Sequence, residues 1–351
     1  MRRRPPRPDA PPPTPTLADV ARLAGVSAAT VSRTLTQPAT VRGETRQRVL
    51  DAVSALDYRP NRAARGLSTG RSGTLGMLVP DIANPFFAEL IRSAQTAAHD
   101  HGKMLLVADT SRSEAHELDV LESLSGQIDG VIVCSPRFRT ERLAPRVARL
   151  PMVFVNRRDD GVPSVLIDQG AIVRISVRHL EGLGHRHMVF LAGPDHLWSS
   201  QCRLDAVRSL DRTNGVDIEV IGAFEATFEG GARAAEAVVS SGATAVIAFN
   251  DVMAVGLMSR LATLGVSVPR DLSVVGSDDV PLSSMWTPTL TTISAPTRAA
   301  GESAVEVLCR SIDEGASAAK DVAAGRPEHP LRRIELEGHL VVRASTMELQ
   351  G

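Results

Sequence analysis

Cysteine is scarce: the 351 residues hold three, Cys134, Cys202 and Cys309, far apart and without a CxxC pair. Such a set suggests neither a disulfide framework nor a cysteine-based zinc site, and it fits a reducing cytosol. Lysine is scarcer still, at Lys103 and Lys320 only, so nearly all positive charge is arginine. No apolar run approaches the roughly 18 residues of a membrane span. The opening MRRRPPRPDAPPPTP is basic with no apolar stretch behind it, so it does not read as a secretory signal. Net charge is nearly absent as well, at -1. Taken whole, that balance argues against a partner as strongly charged as a nucleic acid.

What is present changes that reading. With 43% hydrophobic and 23% charged residues, the chain has the composition of a globular protein of two or three domains. The charge is unevenly placed: the first 71 residues sum to +8 and the remaining 280 to -9. Such asymmetry points to one segment that meets a polyanion and another that does not. Residues 1–15, with seven prolines and four arginines, read as an extended, disordered, solvated arm.

From Thr16 the pattern becomes helical. Leu17, Val20, Ala21 and Ala24 recur at helical spacing behind a capping box at Thr16–Asp19, and Gly25 ends the run. Ser27 is a good N-cap for a second helix reaching about Leu35, and a third is predicted from about Glu44 to Leu56. The short gap between the first two is helix-turn-helix spacing. On the second helix Val31 and Leu35 face inward, leaving Ala28, Ala29, Thr30, Ser32 and Arg33 outside. Small residues at its start permit close approach to a groove floor. There Arg33 can donate two hydrogen bonds to a guanine edge, and an alanine can pack on a thymine methyl.

The stretches TLADVARLAGVSAATVSRTL and VRGETRQRVLDAVSALDYRPNRAARGL resemble the DNA-binding headpiece of the LacI/GalR family of bacterial transcription regulators. The resemblance implies an all-α helix-turn-helix domain over 16–58 and a hinge helix with linker over 59–71. It assigns Ala28, Ala29 and Arg33 to base reading, and Thr16, Thr30 and Ser32 to phosphate and neighbouring contacts. Asn61, Ala64, Arg65 and Leu67 fall on the hinge helix, with Leu67 as an apolar wedge between base pairs. The residues agree: a run as short as Arg62–Arg65 is not a stable helix alone in water, so it can fold with its target. Three positions depart from the family pattern: Thr36-Gln37 where an Asn often stands, Arg42 in place of a Ser cap, and Gly66 before the wedge.

Beyond residue 71 short apolar runs (TLGMLVP, KMLLVAD, DGVIVCS, PMVFVN, HRHMVFLAG, AVIAFN, DLSVVGSDD) alternate with amphipathic helices. Continuous apolar strands between helices imply parallel sheets covered on both faces, with ligands at the strand ends. The family resemblance continues through NPFF at 84–87, GHRH at 184–187, FND at 249–251, GSDD at 276–279, PTLTTI at 288–293 and LVVRAST at 340–346. It implies an α/β effector-binding and dimerisation domain over 72–351, with the two-lobed fold of periplasmic sugar-binding proteins. One lobe is predicted over about 72–168 and 296–325, the other over about 169–295 and 326–351. Arg203, Asp278 and Asn250 offer donors and acceptors suited to sugar hydroxyls. Phe86, Phe87 and Trp198 offer apolar or stacking surfaces, and Asn156, Arg157 and Asp168 stand at other ligand-facing positions of the family.

Enzyme signatures fail on context. Gly66-Leu67-Ser68-Thr69-Gly70 matches G-x-S-x-G, but a nucleophile elbow needs a strand before the serine and a helix after it. Neither G-x-x-x-x-G-K-[ST] nor H-E-x-x-H occurs, and His185 and His187 read as turn residues rather than metal ligands. The expectation is therefore a regulator without catalytic, metal or cofactor sites. It is read as a dimeric repressor at the cytoplasmic nucleoid, bound to palindromic operator DNA and controlled by a carbohydrate-like effector. No apolar heptad tail follows Thr346, which favours dimers over tetramers. A transporter's solute-binding protein would share the two-lobed fold but not the headpiece, and a hydrolase would rest on Ser68 alone.

Overall fold

The computed structural model describes residues 15–58, 71–210, 215–321 and 332–349. The chain divides into two compact units, Met1–Ser72 and Gly73–Gly351. The arm and most of the predicted hinge, with Asn61, Ala64, Arg65 and Leu67, lie outside the described residues.

The first unit is three helices, α1 (Leu17–Ala24), α2 (Ala28–Thr36) and α3 (Gly43–Ala55). The Thr16 hydroxyl donates to Asp19 Oδ2 at 2.6 Å, and the Asp19 N–H donates back to Thr16 Oγ1 at 3.3 Å, closing the capping box. Gly25, at φ 64°, supplies the left-handed residue that ends α1. Ser27 accepts from the Thr30 N–H at 3.2 Å and starts α2. Arg42 makes no side-chain cap, as its departure from a serine implies, so α3 starts on backbone bonds alone. Val20, Ala21, Ala24, Val31, Val49, Ala52 and Tyr58 form the core, with Leu17, Leu35, Val53 and Leu56 packed on it.

The second unit is built on two six-stranded sheets. In the first, β1 (Thr74–Val79), β2 (Met104–Asp109), β3 (Gly130–Cys134), β4 (Met152–Val155), β5 (Ser164–Ile167) and β11 (Arg333–Leu336) lie in the order β11-β5-β4-β3-β1-β2. The second contains β6 (His187–Leu191), β7 (Asp217–Ile221), β8 (Ala245–Ala248), β9 (Ser273–Asp278), β10 (Thr291–Ser294) and β12 (His339–Val341). Its order is β12-β10-β9-β8-β6-β7. All pairings are parallel except β10 with β12. The inner strands β3, β4 and β8 are buried throughout, as sheets covered on both faces require.

Helices fill those faces. On the first lobe α4 (Pro85–Asp100) packs against α12 (Thr297–Asp321), and α5 (Glu114–Leu124) lies over β1 and β3. On the second, α6 (Gln169–Gly182) packs with α7 (Trp198–Leu210), and α8 (Phe228–Arg233) with α10 (Asp251–Thr263), which the short α9 (Ala235–Ser240) and α11 (Leu282–Met285) also meet. The chain passes between sheets after β5, after β10 and after β11. The last passage corrects the predicted boundary at 326. Arg333–Leu336 pairs with Ser164–Ile167 and so extends the first lobe to Leu336. The strand escaped notice because β11 sits at the sheet edge with alternate residues exposed, and RIEL carries no continuous apolar run.

Candidate functional site

The first unit presents one polar face. Ala28, Ala29, Ser32 and Arg33 are exposed on α2. Ala28 with Ser32 and Ala29 with Arg33 stand four residues apart, so they share a side of the helix. Thr30 is half-buried, and its hydroxyl lies 2.9 Å from that of Ser27. The exposed Thr16 also has its hydroxyl engaged, by Asp19. Both threonines therefore serve helix starts first, leaving Ala28, Ala29, Ser32 and Arg33 as the outward set. Over residues 15–58 five arginines face four acidic residues. The excess positive charge of the first 71 residues thus belongs to the arm and to 59–71, not to the helical core.

In the second unit a cleft opens at the C-terminal ends of the strands of both sheets, enclosing about 720 Å³ with its mouth included. Its position follows from parallel sheets, whose strands deliver loops and helix starts to one edge. Asn84 caps α4 there, its Oδ1 accepting from Phe86 N–H at 3.1 Å. Four non-glycine wall residues hold positive φ: Arg112 (58°), Ser135 (47°), Asn156 (55°) and Asp278 (116°). Backbone strain of this kind gathers where side chains must be aimed at a shared point.

Arg203 is a buried member of this wall. Its Nε donates to Gln169 Oε1 at 2.8 Å, Nη2 to Ser277 Oγ at 3.3 Å and Nη1 to the Phe249 carbonyl. The guanidinium also lies 4.6 Å from the centroid of the Phe249 ring. Burial lowers the pKa of Arg203, while the charges of Asp278 and Asp251 oppose that shift. Asp278 is pushed up to about 7 by burial, against the attraction of Arg203 and a hydrogen bond from Ser277. Asp251, wholly buried, is raised well above the usual carboxylate range by burial and by the charge of Asp278. It accepts from the Thr292 hydroxyl at 2.5 Å and the Val280 N–H at 2.9 Å, tying α10 to β10.

Of the nine residues predicted for the cleft, Phe86, Phe87, Asn156, Arg203, Asn250 and Asp278 line it, and Arg157, Asp168 and Trp198 do not. Asp168 caps α6 instead, accepting from the Ala171 N–H at 2.8 Å and pairing with Arg174 at 3.1 Å. Trp198 begins α7, and the wall takes its neighbours Leu197 and Ser199. Phe86 and Phe87 meet edge to face at 5.1 Å and belong to the lobe core as well as the wall. Asn250 caps α10 through Oδ1, which leaves its amide donors for the cleft.

Sequence reasoning missed Arg112, Ser135, Arg137, Gln169 and Phe249, all of which line the cleft. Each follows the C-terminus of a strand within a few residues, a positional signal the sequence contains once the strands are placed. His185 has both ring nitrogens engaged, Nδ1 with Thr244 Oγ1 at 2.9 Å and Nε2 with the Met347 carbonyl at 3.1 Å. Arg343, within LVVRAST, donates to Asp279 at 2.6 Å and to the Leu290 carbonyl at 2.8 Å, holding the two ends of the second lobe together.

Known proteins share this organisation. Residues 16–61 match the model of bacterial regulatory proteins of the lacI family, and residues 177–346 that of the periplasmic binding protein-like domain. The ribose operon repressor of Bacillus subtilis (strain 168) is 32% identical over 84% of this chain and 90% of its own length. The HTH-type transcriptional repressor CytR of Escherichia coli (strain K12) is 34% identical over 84% and 88%. Among solved structures, the lac repressor dimer bound to operator and the anti-inducer ONPF superposes with a TM-score of 0.80 at 27% identity, covering 95% of this chain and 99% of that one. The transcriptional regulator CelR in complex with cellobiose gives 0.68 at 28% identity, over 94% and 99%.

Proposed function

The chain belongs to the LacI family of bacterial regulatory proteins, and from that premise we propose that it is an effector-controlled transcriptional repressor. It binds a palindromic operator as a homodimer. Each headpiece lays α2 in the major groove, where Ala28, Ala29 and Arg33 read base edges and Thr16, Thr30 and Ser32 meet the backbone. Asn61, Ala64, Arg65 and Leu67 act at the centre of the site, Leu67 as the wedge that kinks the duplex. The observation that carries this reading is the union in one chain of a helix-turn-helix unit and a two-sheet unit with a cleft lined by apolar and hydrogen-bonding side chains.

The cleft takes a sugar or sugar derivative among Phe86, Phe87, Asn156, Arg203, Asn250 and Asp278. The ligand alters the free-energy difference between two arrangements of the lobes, and that difference reaches the DNA through residues 59–71. Coupling of this kind is typically about 1–3 kcal/mol. The protein acts on the chromosome in the cytoplasm and performs no catalysis: chemistry at the cleft would require an activated nucleophile or base, and its carboxylates and arginines are committed to binding and framework. Genome-wide footprinting of the full chain tests the reading. Recurrent palindromic sites, lost on adding an effector suggested by the adjoining genes, are expected. Coverage that follows salt alone, with no shared sequence, contradicts it.

A further inference from the structure

Resting on the reading of the cleft as the effector site, we propose that the effector is an anionic carbohydrate whose acidic group sits against Arg137, with Arg112 beside it. The two arginines of the cleft that matter differ in one respect. Each of the three nitrogens of Arg203 has a protein partner, with one N–H left over on Nη1 and one on Nη2. Arg137 has a guanidinium nitrogen, Nη1, that is shielded from solvent and has no hydrogen-bond partner. An arginine does not escape such a position by losing its proton, so the unmatched donor remains as a cost.

The setting of Arg137 deepens the mismatch. It follows β3 on a loop fixed by Glu117, whose buried Oε2 accepts the Arg137 backbone N–H at 2.9 Å. That bond places the residue at the cleft but engages the carboxylate with backbone, not with the guanidinium. Burial disfavours the charge of Arg137, and the nearby Arg112 adds repulsion; Glu117 and Glu225 oppose both through space. Glu225 is exposed and belongs to the second lobe, next to the wall residue Ala226. Arg112 lines the same wall and holds only a long contact with Asp81, at 3.8 Å. Two guanidinium groups on one wall, one with a buried unmatched donor, are what a phosphate or carboxylate would satisfy. A neutral sugar would bring a hydroxyl to Nη1 but no charge.

Two measurements on the full chain test this. Arg137→Met keeps the length of the side chain and removes the unmatched charge, so the ligand-free protein should melt higher, by about 2–4 °C. A lower Tm means the guanidinium serves the fold and overturns the proposal, whether or not any probe binds. Calorimetry with D-ribose, ribose 5-phosphate and D-gluconate then reads selectivity. At least one of the two anions should bind the wild type tenfold or more tighter than ribose. That advantage should vanish in Arg137→Met and survive in part in Arg137→Lys, and whichever anion shows it separates phosphate from carboxylate. Ribose binding as tightly as both anions, with all binding lost in Asp278→Asn, sinks the anionic group and leaves the cleft reading intact. Anion binding that survives in both Arg137→Met and Asp278→Asn lies outside the cleft and removes both.

Discussion

The Nε–H of Arg203 meets Gln169 Oε1 at 2.8 Å, while Gln169 Nε2 donates to the carbonyl of Ile167 at 3.1 Å. One glutamine thus joins the last residue of β5, in the first lobe, to a buried guanidinium in the second. Gln169→Leu keeps the volume but leaves a charged donor and a carbonyl unmatched. The expected loss is about 1–3 kcal/mol, read as a lower urea midpoint with an unchanged slope. An unchanged midpoint would mean that Arg203 is held by Phe249 and Ser277 alone.

Asp278 gives the protein a pH signature. Its carboxyl is raised to about 7 when folded and returns to the ordinary range when unfolded. Between about pH 4 and 7 the folded state therefore holds more protons, and stability must fall as pH rises through that window and level off above it. Glu117, raised to about 7 by burial, acts in the same direction. Denaturant midpoints between pH 5 and 8 should show the decline. Asp278→Asn or Glu117→Gln should each remove part of it, and the buried Asp251, raised in the same direction, should keep part of it in the pair. A slope unaffected by either variant would place its origin elsewhere.

The sequence was most readable where one residue decides a local structure. Thr16 with Asp19, Gly25 and Ser27 set the ends of the first two helices, and each acts through its own backbone neighbours. Continuous apolar runs likewise marked β1, β3, β4, β6, β8 and β9. What escaped depends on partners far along the chain. The strand Arg333–Leu336 takes its identity from β5, some 170 positions earlier. Arg203 has the right chemistry for a ligand, yet three other segments occupy it. Arg137 carries no motif, and the bond from its backbone N–H to Glu117 joins residues 20 positions apart.

The crossing of α8 and α10 rests on two glycines that face each other's backbone. A methyl at Gly231 would intrude on the Met253 carbonyl, and one at Gly256 on the Phe228 carbonyl. Backbone cannot yield as a side-chain tip can, so the helices would have to separate. Gly231→Ala and Gly256→Ala should each cost about 1–3 kcal/mol by overpacking. Combined, they should cost less than their sum, since one separation accommodates both. A neutral Gly256→Ala in thermal unfolding would show that the crossing is looser than described.

At the headpiece, the proposed base reading and the excess charge fall in different segments, and two classes of substitution should separate them. Arg33 shares the exposed side of α2 with Ala29, within a unit that is nearly charge-balanced over 15–58. Arg33→Ala should therefore relax base preference at one position of each half-site, by about 1–3 kcal/mol, with little change in salt dependence. Arg62 and Arg65 belong to the basic stretch 59–71. Replacing each with Gln should weaken all sequences alike and reduce the slope of log affinity against log salt by about one apiece. Operator titrations across a salt series, with every base pair of the half-site varied, distinguish the two. If Arg33→Ala lowers the salt slope and keeps the base preference, the residue is a phosphate contact, and reading passes to Ala28, Ala29 and Ser32.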